Sequence, residues 1–187
     1  MRVGRRLAVL VVPLCLQACL GGNTTDFIQY DVSGVPQLFS YVASRGEFRT
    51  VIHGNPSVAP KEAFEAAVID TMQGHTWGPK ANFSTSSSAD ARDGYRVVMV
   101  FSGQYHITGE AACRGADLSA LPPAANRVQL QAAFCFKDRV LSQAHVTFNS
   151  FSSPEDPVLN DAVAEAVLHL FPLRDPDRED RGGVFPP

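Results

Sequence analysis

The chain lacks an excess of charge of either sign. Its 16 Lys and Arg stand against 19 Asp and Glu, a formal charge of −3, so the basic surplus of a nucleic-acid binder is missing. It also lacks an apolar run of membrane-spanning length. The uninterrupted stretch at residues 7–16 covers about 15 Å as a helix, half of a ~30 Å hydrocarbon core. No internal repeat or heptad pattern is present. With 45 % hydrophobic residues among 187, wholesale disorder, a collagen-like repeat and a multi-span membrane protein are all excluded. The length suits one domain, with or without tails.

Motifs that carry chemistry are equally scarce. The five histidines, His53, His75, His106, His145 and His169, never pair at i, i+4, and H-E-x-x-H does not occur. No G-x-S-x-G elbow is found, and Ser102 with His106 runs into a Gly-rich loop where an elbow needs a helix. Gly103, Gly109 and Gly115 recur at six without the strand–loop–helix context or the Lys of a phosphate-binding loop. Asp90 and Asp93 share a loop with Arg92, and Glu155 and Asp156 read as helix-capping acids. The single Trp, Trp77, sits just past a predicted helix end. It would pack over that terminus or, if exposed, serve as a contact. No catalytic residue, metal ligand or cofactor is assigned.

What is present begins at the N-terminus. Arg2, Arg5 and Arg6 precede the 7–16 apolar run, the layout of a secretory signal. Leu16-Gln17-Ala18-Cys19 then resembles the lipobox of bacterial lipoproteins, with Gln17 a departure at the spacer position. The resemblance covers residues 1–19 alone. It implies removal of 1–18, acylation of Cys19, and membrane attachment through that lipid. Leu20, rather than Asp, implies the outer membrane over the inner. Removing 1–18 takes away three Arg and no acid, which moves the charge from −3 to −6. Two acyl-bearing groups on one residue anchor stably where a single chain does not. Under this resemblance Cys15 leaves with the signal and Cys19 carries lipid. Cys113 and Cys135 remain, and in an exported domain two thiols read as one disulfide; the alternative is two unpaired thiols.

Patterning organises the rest as a tether over 19–44, with a short ordered patch around Phe39 and Tyr41, a single domain over 45–172, and a mobile charged tail over 173–187. Alternation predicts strands at 48–53 and 95–101, the latter apolar on both faces and so central in its sheet. A shorter strand is expected at 81–85. Helical spacing predicts 60–73, with Pro60 in its first turn. Residues 102–126 read as a long connection held by Cys113.

The clearest hairpin is 128–136 with 140–148. A three-residue loop, Lys137 to Arg139, pairs Phe136 with Val140, Phe134 with Ser142, Ala132 with Ala144, and Leu130 with Val146. This register keeps apolar residues on one face. Ser153-Pro154-Glu155-Asp156 reads as a capping box before a helix whose apolar stripe runs from Leu159 to Phe171.

The expected fold is α+β, a two-layer sandwich of a mainly antiparallel sheet and two amphipathic helices. Helices on one sheet face would leave the other polar. On the hairpin that second face carries Gln129, Gln131, Gln143, His145 and Thr147, the candidate binding face. The expected function is a lipid-anchored, extracytoplasmic envelope protein with a binding or structural role, meeting the membrane through Cys19 and an envelope protein partner, and no nucleic acid. Two alternatives stand beside it. One is a small-ligand or metal-binding transport lipoprotein, and the other an enzyme assembled from dispersed residues such as His53, His106 and His145.

Overall fold

A computed structural model describes residues 23–30, 33–86, 91, 93–103, 107–115, 118 and 126–173. Cys19 and the 174–187 tail, with the expectations placed on them, lie outside the described residues. Six strands form one mixed sheet, β1 (Thr24–Tyr30), β2 (Phe48–His53), β3 (Phe83–Ser84), β4 (Tyr95–Ser102), β5 (Arg127–Phe136) and β6 (Arg139–Asn149). Their order is β1-β6-β5-β4-β2-β3. The first four pair antiparallel, whereas β2 runs parallel to both β4 and β3. Four helices are described: α1 (Val35–Ala43), α2 (Lys61–Gln73), α3 (Gly109–Cys113) and α4 (Pro157–Leu170).

The main core lies on one face of the sheet. Phe48, Val97, Met99, Phe101, Leu130, Phe134, Val146 and Phe148 project from alternate strand positions, and α1, α2 and α4 close over them. Phenylalanine rings join distant parts of the chain here. Phe39 of α1 lies 4.4 Å from Phe171, and Phe48 lies 5.5 Å from Phe134. Such tilted ring pairs add to what burial alone contributes. Gln73, at the end of α2, fastens β3 by donating to the Phe83 carbonyl at 2.8 Å and accepting from its amide at 3.1 Å.

Several expectations hold. β4 lies inside the sheet with both faces buried. The α4 stripe Leu159, Ala162, Val163, Ala166, Val167 and Leu170 is buried, as is Phe171 beyond it.

Others are corrected. Thr24–Tyr30 and Val35–Ala43, assigned to the tether, instead form β1 and α1, and Phe39 and Val42 are core residues. The cap of α4 is Asp156, whose carboxylate accepts from the Val158 amide at 3.1 Å, with Pro157 rather than Pro154 in the first helical position. Ser153 accepts instead in a preceding turn, Asp156 N–H to Ser153 O at 3.1 Å.

The hairpin register holds at Phe134–Ser142, Ala132–Ala144 and Leu130–Val146. Its loop, however, is the two residues Lys137 and Asp138, because Phe136 pairs with Arg139 and Cys135 with Val140. A bulge between Phe134 and Cys135 restores the phase, since one extra residue returns the side chains to their faces. Lys137 takes the positive φ of 52° that the tight turn demands.

The 102–126 connection is not structureless. It contains α3, laid against the second face of the sheet over β4, β5 and β6. Ile107, Ala112 and Cys113 there meet Val98, Val100, Ala133 and Cys135 in a smaller apolar cluster. Cys113 and Cys135 are bonded, with Cα atoms 5.6 Å apart. Loop-closure entropy for the 22-residue separation corresponds to about 3 kcal/mol. Cys113→Ser and Cys135→Ser should each lower the melting temperature, and the reduced native protein should match them; a native protein insensitive to reductant would contradict this role for the bond.

Candidate functional site

The five side chains expected to form an open polar face start from alternate positions of β5 and β6, opposite the main core. Register places Gln129 beside Thr147, Gln131 beside His145, and Gln143 beside Ala133. The face is not open. Gln131, Gln143 and His145 are only 3–4 % exposed, because α3 covers β5 and β6 and β1 extends the sheet beside them. Gln129 and Thr147, nearer the end of the sheet, stay partly exposed.

Gln143 is the hub of this buried layer. Its Oε1 accepts from the Gly109 amide at 2.8 Å, at the start of α3, and from Gln131 Nε2 at 3.4 Å. Its Nε2 donates to Gln29 Oε1 of β1 at 3.0 Å. One carboxamide therefore ties α3, β1 and β5 together, which suits a buried group with both donors and acceptors.

Asp26 does the same for the edge strand. It is the extra residue at the β1 bulge, between the Thr25–Val146 and Phe27–His145 pairs. The bulge brings its carboxylate to 3.3 Å from His145 Nδ1, and the Thr147 hydroxyl donates to the same oxygen. On the opposite side of β1, the Thr25 hydroxyl donates to Glu165 of α4, and the Tyr30 hydroxyl to the His169 carbonyl at 3.0 Å. The candidate binding face is thus largely an internal fastening, a correction with a simple cause: the sequence reading had neither α3 nor β1 to cover it.

The histidines proposed for a dispersed catalytic site are not drawn together where they can be seen. His53, Val100, Gln131 and His145 occupy one row across β2, β4, β5 and β6. Three interstrand spacings separate the two imidazole-bearing positions by about 14 Å. His106 is outside the described residues. Among the described residues no three His, Cys, Asp or Glu side chains gather as a metal site requires, and no helix is long and apolar enough to cross a membrane. Trp77, past the end of α2, is 52 % exposed.

No family model matches the chain, and no curated protein matches it. Two crystal structures of the PelC dodecamer from Paraburkholderia phytofirmans are similar to it. In each, the match covers 82 % of this chain and 100 % of that one, at 11 % identity and a TM-score of 0.40.

The sequence reading missed the contributions of Asp26 and Gln29, which lie in the segment taken for a tether. A signal was available. Thr24-Thr25-Asp26-Phe27-Ile28-Gln29-Tyr30 is rich in β-branched and aromatic residues, a strand composition. It also missed Arg96, whose guanidinium donates to the Cys113 carbonyl at the end of α3. No local pattern flags that contact.

Gln143→Ala should cost about 1–3 kcal/mol, because it leaves the buried Gly109 amide without its acceptor. Gly109→Ala should destabilise as well, since a Cβ there collides with the Gln143 carboxamide. Denaturant midpoints test both, and values within error of wild type would deny the carboxamide its role.

Burial holds the His53 imidazole below its ordinary pKa; the Lys61 charge lowers it further, and Glu65 opposes. The unfolded chain therefore takes up a proton near pH ~6.5 that the folded chain accepts only at lower pH, so stability falls as the pH drops through that window. Between about pH 7 and about pH 5, wild type should lose more stability than His53→Asn. Equal losses would assign the slope to other groups.

Proposed function

We propose that this chain is a lipid-anchored, extracytoplasmic protein of a bacterial envelope, acylated on Cys19, with a binding or structural role. The observation that carries the reading is the order at the N-terminus. Basic residues, a ten-residue apolar run and Leu16-Gln17-Ala18-Cys19 are followed after only four residues by β1.

The Cys113–Cys135 bond supports it independently, because disulfides persist in oxidising compartments. The short spacer adds a geometric condition. From Cys19 to Thr24 the chain can reach at most about 18 Å, so the domain sits close to the bilayer that holds the lipid. By the Leu20 criterion that bilayer is the outer membrane, and the domain faces the periplasm. The architecture is an α+β two-layer core, with α1, α2 and α4 against one sheet face, to which α3 adds a small patch on the other. The binding or structural role belongs to the outer surfaces of this domain, since most of the polar hairpin layer is spent internally.

Protein extracted from bacterial membranes should have an intact mass that starts at Cys19 and carries a diacylglyceryl group and an amide-linked acyl chain. Cys19→Ser should move it to the soluble fraction. An unacylated wild-type mass, or membrane association unchanged in Cys19→Ser, would overturn the reading.

A further inference from the structure

Arg49 and Arg96 sit on neighbouring strands, one position before the Thr50–Val97 pair of β2 and β4. Alternation puts both on the face opposite the main core. Phe48, just before Arg49, and Ile52, three positions after it, point into that core, as Val97 does beside Arg96, whereas Val51 and Val98 belong to the second-face cluster. Like charges directly across a strand pair are unfavourable, and a fold that places two guanidinium groups there needs something to offset them.

The described residues offset them weakly. Among the described residues neither Arg49 nor Arg96 is in an ion pair. Asp138, in the β5–β6 turn, is the carboxylate whose charge acts on Arg96; burial and the charge of Arg49 both push the Arg96 pKa down. Glu47, two residues before Arg49, accepts from the Ser86 hydroxyl at 3.3 Å.

Arg96 is half-buried and held in place. Its guanidinium donates to the Cys113 carbonyl, and the backbone at Cys113 is fixed by the bond to Cys135. Arg49 is exposed beside it. One cation is therefore pre-oriented and the other is free to close on a ligand, an arrangement that lowers the ordering cost of binding.

The surroundings reinforce the sign. Arg45, Arg49, Lys80 and Arg96 fall at the end of the sheet where β2 and β4 begin, against Glu47, Asp93 and Asp138, and Lys137 and Arg139 lie at the same end but go with Phe136 on the other face. In a chain of net charge −3 this is a local positive field, of the kind that concentrates anions.

We propose that Arg49 and Arg96 form a binding site for a phosphate-bearing ligand. Two adjacent guanidinium forks match a group that carries close to two negative charges and several acceptor oxygens, which phosphate does near neutral pH and a single carboxylate does not. The phosphate can belong to a soluble ester or to a lipid headgroup. The site does not depend on Cys19 or on its acylation.

The test uses the full, disulfide-bonded chain as Cys19→Ser, so that no lipid of its own carries it onto vesicles. Inorganic phosphate and pyrophosphate are titrated calorimetrically at low ionic strength, and cosedimentation is measured with phosphatidylglycerol vesicles and with phosphatidylcholine vesicles. Saturable binding at one site per chain is expected, suppressed by salt. It should weaken roughly tenfold in Arg49→Gln, an exposed position whose loss leaves the fold intact, and also in Arg96→Lys, which keeps the charge and loses the fork. Binding of the free anions alone identifies a soluble ligand. Phosphatidylglycerol-dependent sedimentation that Arg49→Gln abolishes identifies a headgroup. No binding of any probe, or binding that both variants retain at full strength, overturns the site.

Discussion

Where α3 and β1 close over the second face of the sheet, polar side chains are shut off from bulk solvent, and this constraint shapes the protein from β1 to α3. Gln131, Gln143 and His145 lie inside the molecule. Left unpaired, such groups would each cost a substantial part of a domain's net stability. Gln143 meets the demand by reaching three other elements at once. Asp26 does so at the edge of the sheet, where a bulge aims its carboxylate at His145 and Thr147. The polar layer is therefore a specificity device. It ties α3 to β6 through Gly109 and β1 to β6 through Gln29 and Asp26.

Much of the fold was legible because the strongest signals are local. The double-faced apolar pattern of β4, the helical stripe of α4 and the phase of the hairpin depend on neighbours within a few residues, and each is present. The misreadings have a common physical source. Cap position and loop length are decided by single residues, so Asp156 with Pro157 displaced the Ser153 box, and a bulge at Phe134–Cys135 turned an expected three-residue loop into two. The candidate site was the least legible part. Polar alternation on a hairpin shows which side chains share a face, but whether that face meets water depends on segments far along the chain. Here those segments were a strand mistaken for a tether and a five-residue helix within a Gly-rich connection.

The Cys113–Cys135 bond serves two parts of the molecule at once. On one side it secures α3 over the polar layer; on the other it fixes the carbonyl that holds Arg96. Stability and the proposed anion site thus share a covalent support. Disulfides persist in oxidising compartments, in keeping with the location proposed from the first nineteen residues.

The placement of β1 has a consequence for how the molecule forms. Asp26 and Thr147, which meet across the β1–β6 pair, are 121 residues apart in sequence, so the first of the described strands is paired with the last. A chain growing from its N-terminus completes β1 long before its partner exists, and non-local pairings of this kind close slowly. Until β6 arrives, a seven-residue segment rich in β-branched and aromatic side chains stays without its ladder, the condition under which strands seek neighbours in other molecules. Asp26, the one acidic residue within that segment, serves the native contact with His145 and also places a charge where such unintended pairing would begin.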